Sequence, residues 1–246
     1  MRRDLLLIFH NQPILLLLKI LELAENNKIT MWYLFIISTF YITVPAILGS
    51  LLFNKLKIEF KLLSIYLIIF SLLEVTGYVL SVGLKMKNNL FLIHIFAPIE
   101  LILFAFIFYF HFQNWPPRKF IIIGLIILII FSIINSKFIQ PIRIYPTNFI
   151  YLESTTLILL SLTYFYQVFT ELKVEKLWLE GMFWLSTGLL FYHSGTMILY
   201  LSSNYLMQTV TMDLFKFFHT LVLSVCHLLT YSLFTLAIWV GRKQSI

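Results

Sequence analysis

Seven long apolar runs alternate with short polar gaps along this chain. They are Trp32–Phe53, Leu62–Leu84, Leu90–Phe112, Phe120–Ser136, Phe149–Thr170, Gly181–Ser203 and Leu214–Val240. A helix needs about 20 mostly apolar residues to cross a bilayer. Inside lipid, only helices or closed barrels satisfy every backbone N–H and C=O. Barrel strands run to about 10 residues with alternating polarity, and these runs are longer and do not alternate. The pattern therefore predicts an all-α, polytopic membrane helical bundle of about seven transmembrane helices. The gaps are short, so consecutive helices are expected to be antiparallel neighbours. Residues 1–31 form an N-terminal extension, residues 32–240 the seven-helix transmembrane domain, and residues 241–246 a cytoplasmic tail.

Composition narrows the class further. Of 246 residues, 60% are hydrophobic and 12% charged, whereas soluble domains sit near ~45–50% apolar and ~25% charged. With so few charges to cover its outside, the chain is not a soluble enzyme, a disordered segment or a fibrous protein. The net charge of +7 falls in the gaps between apolar runs and forms no basic stripe interleaved with aromatics. The bilayer is thus the expected partner, and nucleic acid is not. The single cysteine, Cys226, excludes an internal disulfide and a Cys-based zinc site. Abundant Phe, Ile, Lys and Asn fit an AT-rich bacterial genome.

The extension is harder to place. Arg2, Arg3 and Asp4 precede an apolar stretch broken by His10, Asn11, Gln12 and Pro13, and Lys19, Glu22 and Glu25 follow. No small-residue cleavage site follows it, which argues against a signal peptide. Pro13 and its polar neighbours argue against a span. The segment reads as an interfacial helix or as a misassigned start ahead of Met31. From Met31 on, Lys55, Lys57, Lys61, Arg118, Lys119, Lys173, Lys176, Arg242 and Lys243 fall on one side of the bundle. Lys85, Lys87, Lys137, Arg143 and Lys216 fall on the other. The richer side is expected to be cytoplasmic, which puts the C-terminus there and implies a bacterial inner (cytoplasmic) membrane.

Ionisable groups inside a bilayer cost about 2.5–3.5 kcal/mol on insertion scales, so they are candidates for function. Glu74, His94, Glu100, Glu153, His193, His219 and His227 all fall in the middle or outer half of the predicted spans. Helical spacing joins them to polar neighbours. The second span carries Ser71, Glu74, Tyr78 and Ser81, and the fifth carries Glu153, Thr156, Tyr164 and Gln167. The sixth carries Ser186, His193, Thr196 and Tyr200, and the seventh carries Thr220, Ser224, His227, Thr230 and Tyr231. One stripe on each of four helices predicts a partly polar interior. The fourth span, around Ile121–Ile130, has no stripe and is expected to face lipid. The candidate ligand-binding set is Glu74, Tyr78, His94, Glu100, Glu153, His193 and His227. The bland reading of such groups is a hydrogen bond across the bundle, at about 0.6 kcal/mol each.

No metal site is read from the spacing. His219 and His227 are eight residues apart, about 80° around a helix, and no HExxH or HxxxH occurs. A set drawn from His94, His193, His227 and a Glu of different helices is the one arrangement left to a metal. Walker, GxSxG and GxGxxG motifs are missing, and the sequence names no cofactor. Lys216, at the edge of the seventh span, is poorly placed for a retinal Schiff base. Trp32, Trp115, Trp178 and Trp239 lie at span ends as interfacial anchors, and Trp184 lies just inside the sixth.

Three segments carry a resemblance: Glu74–Tyr78, His94–Glu100 (HIFAPIE) and Phe183–Gly195 (FWLSTGLLFYHSG). With the helix count and short loops, they make residues 32–240 resemble uncharacterised bacterial seven-helix integral membrane proteins. The region is also similar to the seven-helix membrane input modules of bacterial sensor kinases. That resemblance implies a sensory or signalling-accessory module that binds a small or lipophilic ligand in a polar bundle interior. No output domain follows Val240, so signalling would pass to a separate cytoplasmic or membrane partner. The alternatives are a membrane-embedded lipid-modifying enzyme, metal-dependent in one form, and a proton-coupled transporter.

Overall fold

The computed structural model describes residues 28–86, 88–113, 118–171, 176–209 and 212–242. Most of the N-terminal extension, Lys87, Trp115, Lys173 and Lys243 lie outside the described residues. Among the described residues there is no strand, and the apolar runs are helices. Helix α1 comprises Lys28–Phe40 and Thr43–Leu52. It is followed by α2 (Ile58–Tyr78), α3 (Phe91–His111), α4 (Arg118–Ile134), α5 (Thr147–Glu171), α6 (Gly181–Thr209) and α7 (Met212–Gly241). Six of these are long and apolar enough to cross a membrane. Helix α6 has the length but is not among the six, because it carries the polar residues Ser186, Thr187, Tyr192, His193, Ser194 and Thr196.

The break in α1 has a local cause. Pro45 has no N–H to give to the carbonyl of Tyr41, four residues earlier. Val44 N–H donates to that carbonyl instead at 3.1 Å, and Thr43 Oγ1 donates to Phe40 O at 2.7 Å. The two halves still form one span, Ile29–Lys55.

The principal packing pairs run α1–α2, α2–α3, α3–α5, α5–α6 and α6–α7, and α7 closes on α1. Six helices thus form a ring. Helix α4 packs only against α3 and α5 among the principal pairs. Its Ile123, Ile126, Ile127, Ile130 and Ile133 are exposed, as expected of a lipid-facing helix without a polar stripe.

Close approach of α6 and α7 depends on glycines seven residues apart, so that they share a face. A Cβ on Gly188 would lie 2.9 Å from Phe234 Cε1, and one on Gly195 would lie 2.9 Å from Cys226 Sγ. At Gly181 it would meet Phe60 Cε1 at 2.7 Å and the Ala237 carbonyl oxygen at 2.9 Å. The Phe60 ring is wedged between Gly181 and Gly241.

The two ends of the ring differ. Where α2 begins and α7 ends, Phe60, Leu63, Phe108, Phe112, Ala237 and Ile238 are buried in a continuous apolar core. Above it, Tyr66, Phe104 and Phe234 form an aromatic layer, with centroid separations of 4.6 Å, 5.9 Å and 6.3 Å. The packed end also carries Arg242 over the Trp239 ring and Arg118 over the Tyr109 ring. Trp32, Trp178 and Trp239 are exposed, whereas Trp184 donates its indole N–H to Trp178 O at 2.9 Å.

At the other end, α2 and α4 finish in π-turns, Val79–Gly83 and Asn135–Ile139. Asn135 Nδ2 donates to Gln140 Oε1 at 3.2 Å, Gln140 Nε2 to Thr147 Oγ1 at 2.7 Å, and Asn148 Nδ2 to Asn135 Oδ1 at 3.3 Å. This knot ties the end of α4 to the start of α5.

Candidate functional site

The half of the ring opposite the packed end is hollow. A cavity of about 310 Å³ lies there, at the lower end of the range of small-molecule sites, ~300–1,000 Å³. Its lining runs from Asn89, ahead of α3, down to Glu100 at the middle of that helix. At 1.5 Å per residue this is a depth of about 16 Å. The aromatic layer at Tyr66 is its floor.

Five of the seven residues singled out by sequence line this cavity: Glu74, Glu100, Glu153, His193 and His227. They arrive from α2, α3, α5, α6 and α7, so no sequence spacing connects them. Tyr66 donates its hydroxyl to Glu100 Oε1 at 3.3 Å. His193 shares a hydrogen bond with Ser154 through Nδ1 at 3.2 Å. Its Nε2 is 3.9 Å from Glu100 Oε1, beyond hydrogen-bond reach. His193 Nε2 and Glu153 Oε1 are both buried without a hydrogen-bond partner. Buried polar groups are nearly always paired, and within the chain these two atoms lack the partner that burial calls for.

The other two candidates stand elsewhere. His94 is buried between connections, with Nδ1 2.8 Å from Ser136 Oγ and Nε2 2.8 Å from Ile144 O. A carbonyl can only accept, so Nε2 carries the proton and Nδ1, in the neutral ring, accepts from Ser136. Both nitrogens are occupied in tying α3 to the end of α4 and the loop beyond it. Tyr78 packs edge-on against Phe40, with centroids 5.7 Å apart.

The polar stripes divide in the same way. Thr220 and Ser224 line the cavity beside His227, and Tyr200 lines it beside His193. Ser71 and Ser81 instead donate to carbonyls of their own helix, Ile68 O and Tyr78 O. Thr156 borders a separate apolar groove between α3, α4 and α5. Tyr164 lies away from the cavity, against His111.

Several lining residues carry no signal at helical spacing from the chosen ones. Ser38 and Thr39 come from α1, where Ser38 Oγ donates to Ser224 Oγ at 2.9 Å. Tyr145 comes from the loop before α5 and stacks on Tyr200 at 5.6 Å. Tyr192 stacks on His227 at 5.5 Å and shares a 3.0 Å hydroxyl bond with Tyr200. His219, counted from the sequence among the ionisable groups of the seventh span, also lines the cavity, against Phe215.

Among the described residues, no three His, Cys, Asp or Glu side chains are grouped to hold a metal ion. The cross-helix set of His94, His193, His227 and a Glu is therefore not assembled, because His94 is engaged outside the cavity. What the cavity offers is several hydrogen-bond acceptors, a few hydroxyls and aromatic faces, over an apolar wall of Phe35, Phe70, Leu73 and Phe96. No family model matches this chain, and neither a curated protein nor a solved structure does.

Proposed function

We propose that this chain is a membrane-embedded sensory or signalling-accessory module. In this reading α6 is the seventh span. A small, partly lipophilic ligand occupies the half-bundle cavity, and a separate protein reads its occupancy at the packed end. The observation that carries the reading is a polar cavity, with unpartnered buried groups, that stops at an aromatic floor. Such a pocket suits binding of a small molecule. The α6–α7 contact runs from the Gly195 level beside the cavity to Gly181 at the packed end. A small shift at one end would therefore be felt at the other.

The bias of Lys and Arg supports a bacterial cytoplasmic membrane with the packed end and C-terminus at the cytoplasm. A partner would then meet the exposed Asn54 and Lys57 of the α1–α2 connection.

Photocrosslinkers at Asn54 and Lys57, in native membranes, test the coupling. Gly77 lines the cavity, and a Cβ there has Leu92 Cδ1 at 3.9 Å as its nearest neighbour. Gly77→Phe would fill space without displacing backbone. A crosslinked protein whose yield changes with Gly77→Phe is the expected result. Yields that ignore the filled cavity, or adducts to lipid alone, would contradict a signalling role.

A further inference from the structure

Resting on the reading of the cavity as a ligand site, we infer that it selects a ligand carrying a protonated amine on an apolar body, held by the carboxylates of Glu153 and Glu100.

Three carboxylates, Glu74, Glu100 and Glu153, line the cavity, and the described lining includes no Lys or Arg. A buried carboxylate is costly unless paired with a positive group or with several donors. Glu100 receives the Tyr66 hydroxyl at a long 3.3 Å. In each of the hydroxyl pairs Tyr192–Tyr200 and Ser38–Ser224, one O–H is spent on the partner.

Two buried atoms here lack partners, Glu153 Oε1 and His193 Nε2, and the second belongs to no carboxylate. Glu153 is 3% exposed and lines the cavity, yet its Oε1 has no partner. In its ionised form this oxygen only accepts, and an N–H or O–H of the occupant would complete it. An ammonium brings up to three N–H donors together with the missing charge. Beside it, His193 Nε2 and Glu100 Oε1 stand 3.9 Å apart without a direct bond.

The rest of the lining fits the remainder of such a molecule. Tyr145, Tyr192 and Tyr200 also line the cavity, with Tyr145 stacked on Tyr200 and Tyr192 on His227. Phe35, Phe70 and Leu73 form an apolar wall for a hydrocarbon or aryl body. An anionic ligand would find carboxylates and no cation. A neutral one would leave the acidic groups without a cation.

The same chemistry is available from a free amine or from the headgroup of an ethanolamine lipid. Three matched probes test the class on the full chain in non-ionic maltoside detergent at neutral pH. They are 2-phenylethylamine, 2-phenylethanol and 3-phenylpropionate: cation, neutral and anion on one aryl-ethyl body. Binding is read by calorimetry and by the shift in unfolding midpoint. The amine should bind at least about tenfold tighter than the alcohol, which corresponds to about 1.4 kcal/mol, and the acid more weakly than either. Glu153→Gln should erase most of that preference while alcohol binding persists, and Glu100→Gln gives the same readout if the first variant does not fold. An alcohol or acid that binds as well as the amine would overturn the ligand class and leave the cavity reading standing. If no probe binds, both fall. Displacement of the amine by short-chain phosphatidylethanolamine would assign the natural occupant to a lipid headgroup, and its failure to displace would assign a free amine. Either result upholds the class.

Discussion

Gly181→Ala and Gly124→Ala are one chemical change at two helical glycines, and the structure predicts opposite signs. At Gly181 the new methyl would sit 2.7 Å from Phe60 Cε1 and 2.9 Å from the Ala237 carbonyl oxygen. Phe60 is 1% exposed and already pressed by Gly241 on its other side, so its ring cannot swing away. The carbonyl is backbone of α7 and moves only with that helix. Overpacking of this kind costs about 1–3 kcal/mol. Replacing glycine in a helix returns about 0.5–1 kcal/mol, and less at a first position such as Gly181. Gly181→Ala should therefore destabilise the chain by about 1–2 kcal/mol net. At Gly124 nothing lies within 4 Å of the added carbon, so Gly124→Ala should stabilise by about 0.5–1 kcal/mol. Unfolding by added dodecyl sulfate from mixed micelles, followed by circular dichroism, measures both. A Phe60→Leu/Gly181→Ala cycle adds a coupling measurement, because the smaller side chain should relieve part of the cost. Equal effects at the two glycines, or no coupling to Phe60, would refute the picture of a tightly closed packed end.

Three further outcomes follow from the geometry. His94→Ala removes the bridge from Ser136 to the Ile144 carbonyl and should cost about 1–3 kcal/mol in the same assay, with amine binding unchanged because His94 does not line the cavity. Asn135→Ala opens the knot of Asn135, Gln140 and Asn148; it should cost a similar ~1–3 kcal/mol, and hydrogen exchange should speed up at the α4–α5 connection before it does in α7. Tyr66→Phe keeps the aromatic floor but removes the hydroxyl from Glu100; stability should change by less than about 1.5 kcal/mol, while amine affinity changes, and an unchanged affinity would separate Glu100 from the binding site.

The fold was largely legible because apolar length is read residue by residue. All seven runs became helices within a few residues of their expected ends, and the lack of a stripe on α4 correctly placed it outside the ring. The interruption of α1 was also written in the chain, at Pro45, though continuous apolarity hid it. The site was legible only in part. Glu74, Glu100, Glu153, His193 and His227 follow from the cost of polar groups in lipid, whatever their partners. Which of them meet depends on helix rotation and on long-range packing. His94 has the same burial and chemistry as His193, yet two nearby acceptors and donors in the α4–α5 connection engage it fully. Tyr145 lies outside every span, and Tyr192 lies beside His193 in sequence rather than along its stripe, so helical periodicity passes over both. His111, at the end of α3, was passed over as well. It packs against Tyr164 at 5.3 Å, away from the cavity.

One half of the bundle is hollow and open at the end away from the C-terminus, while the other half is filled by the buried apolar core. Cys226 is the single cysteine, so one substitution, Cys226→Ser, gives a background for introduced thiols. Thr220 lines the cavity, and Ser64 is fully buried at the packed end. Membrane-impermeant maleimide should label Thr220→Cys from the side opposite the C-terminus and leave Ser64→Cys untouched from both sides. A reactive Ser64→Cys, or a Thr220→Cys silent from that side, would contradict the account.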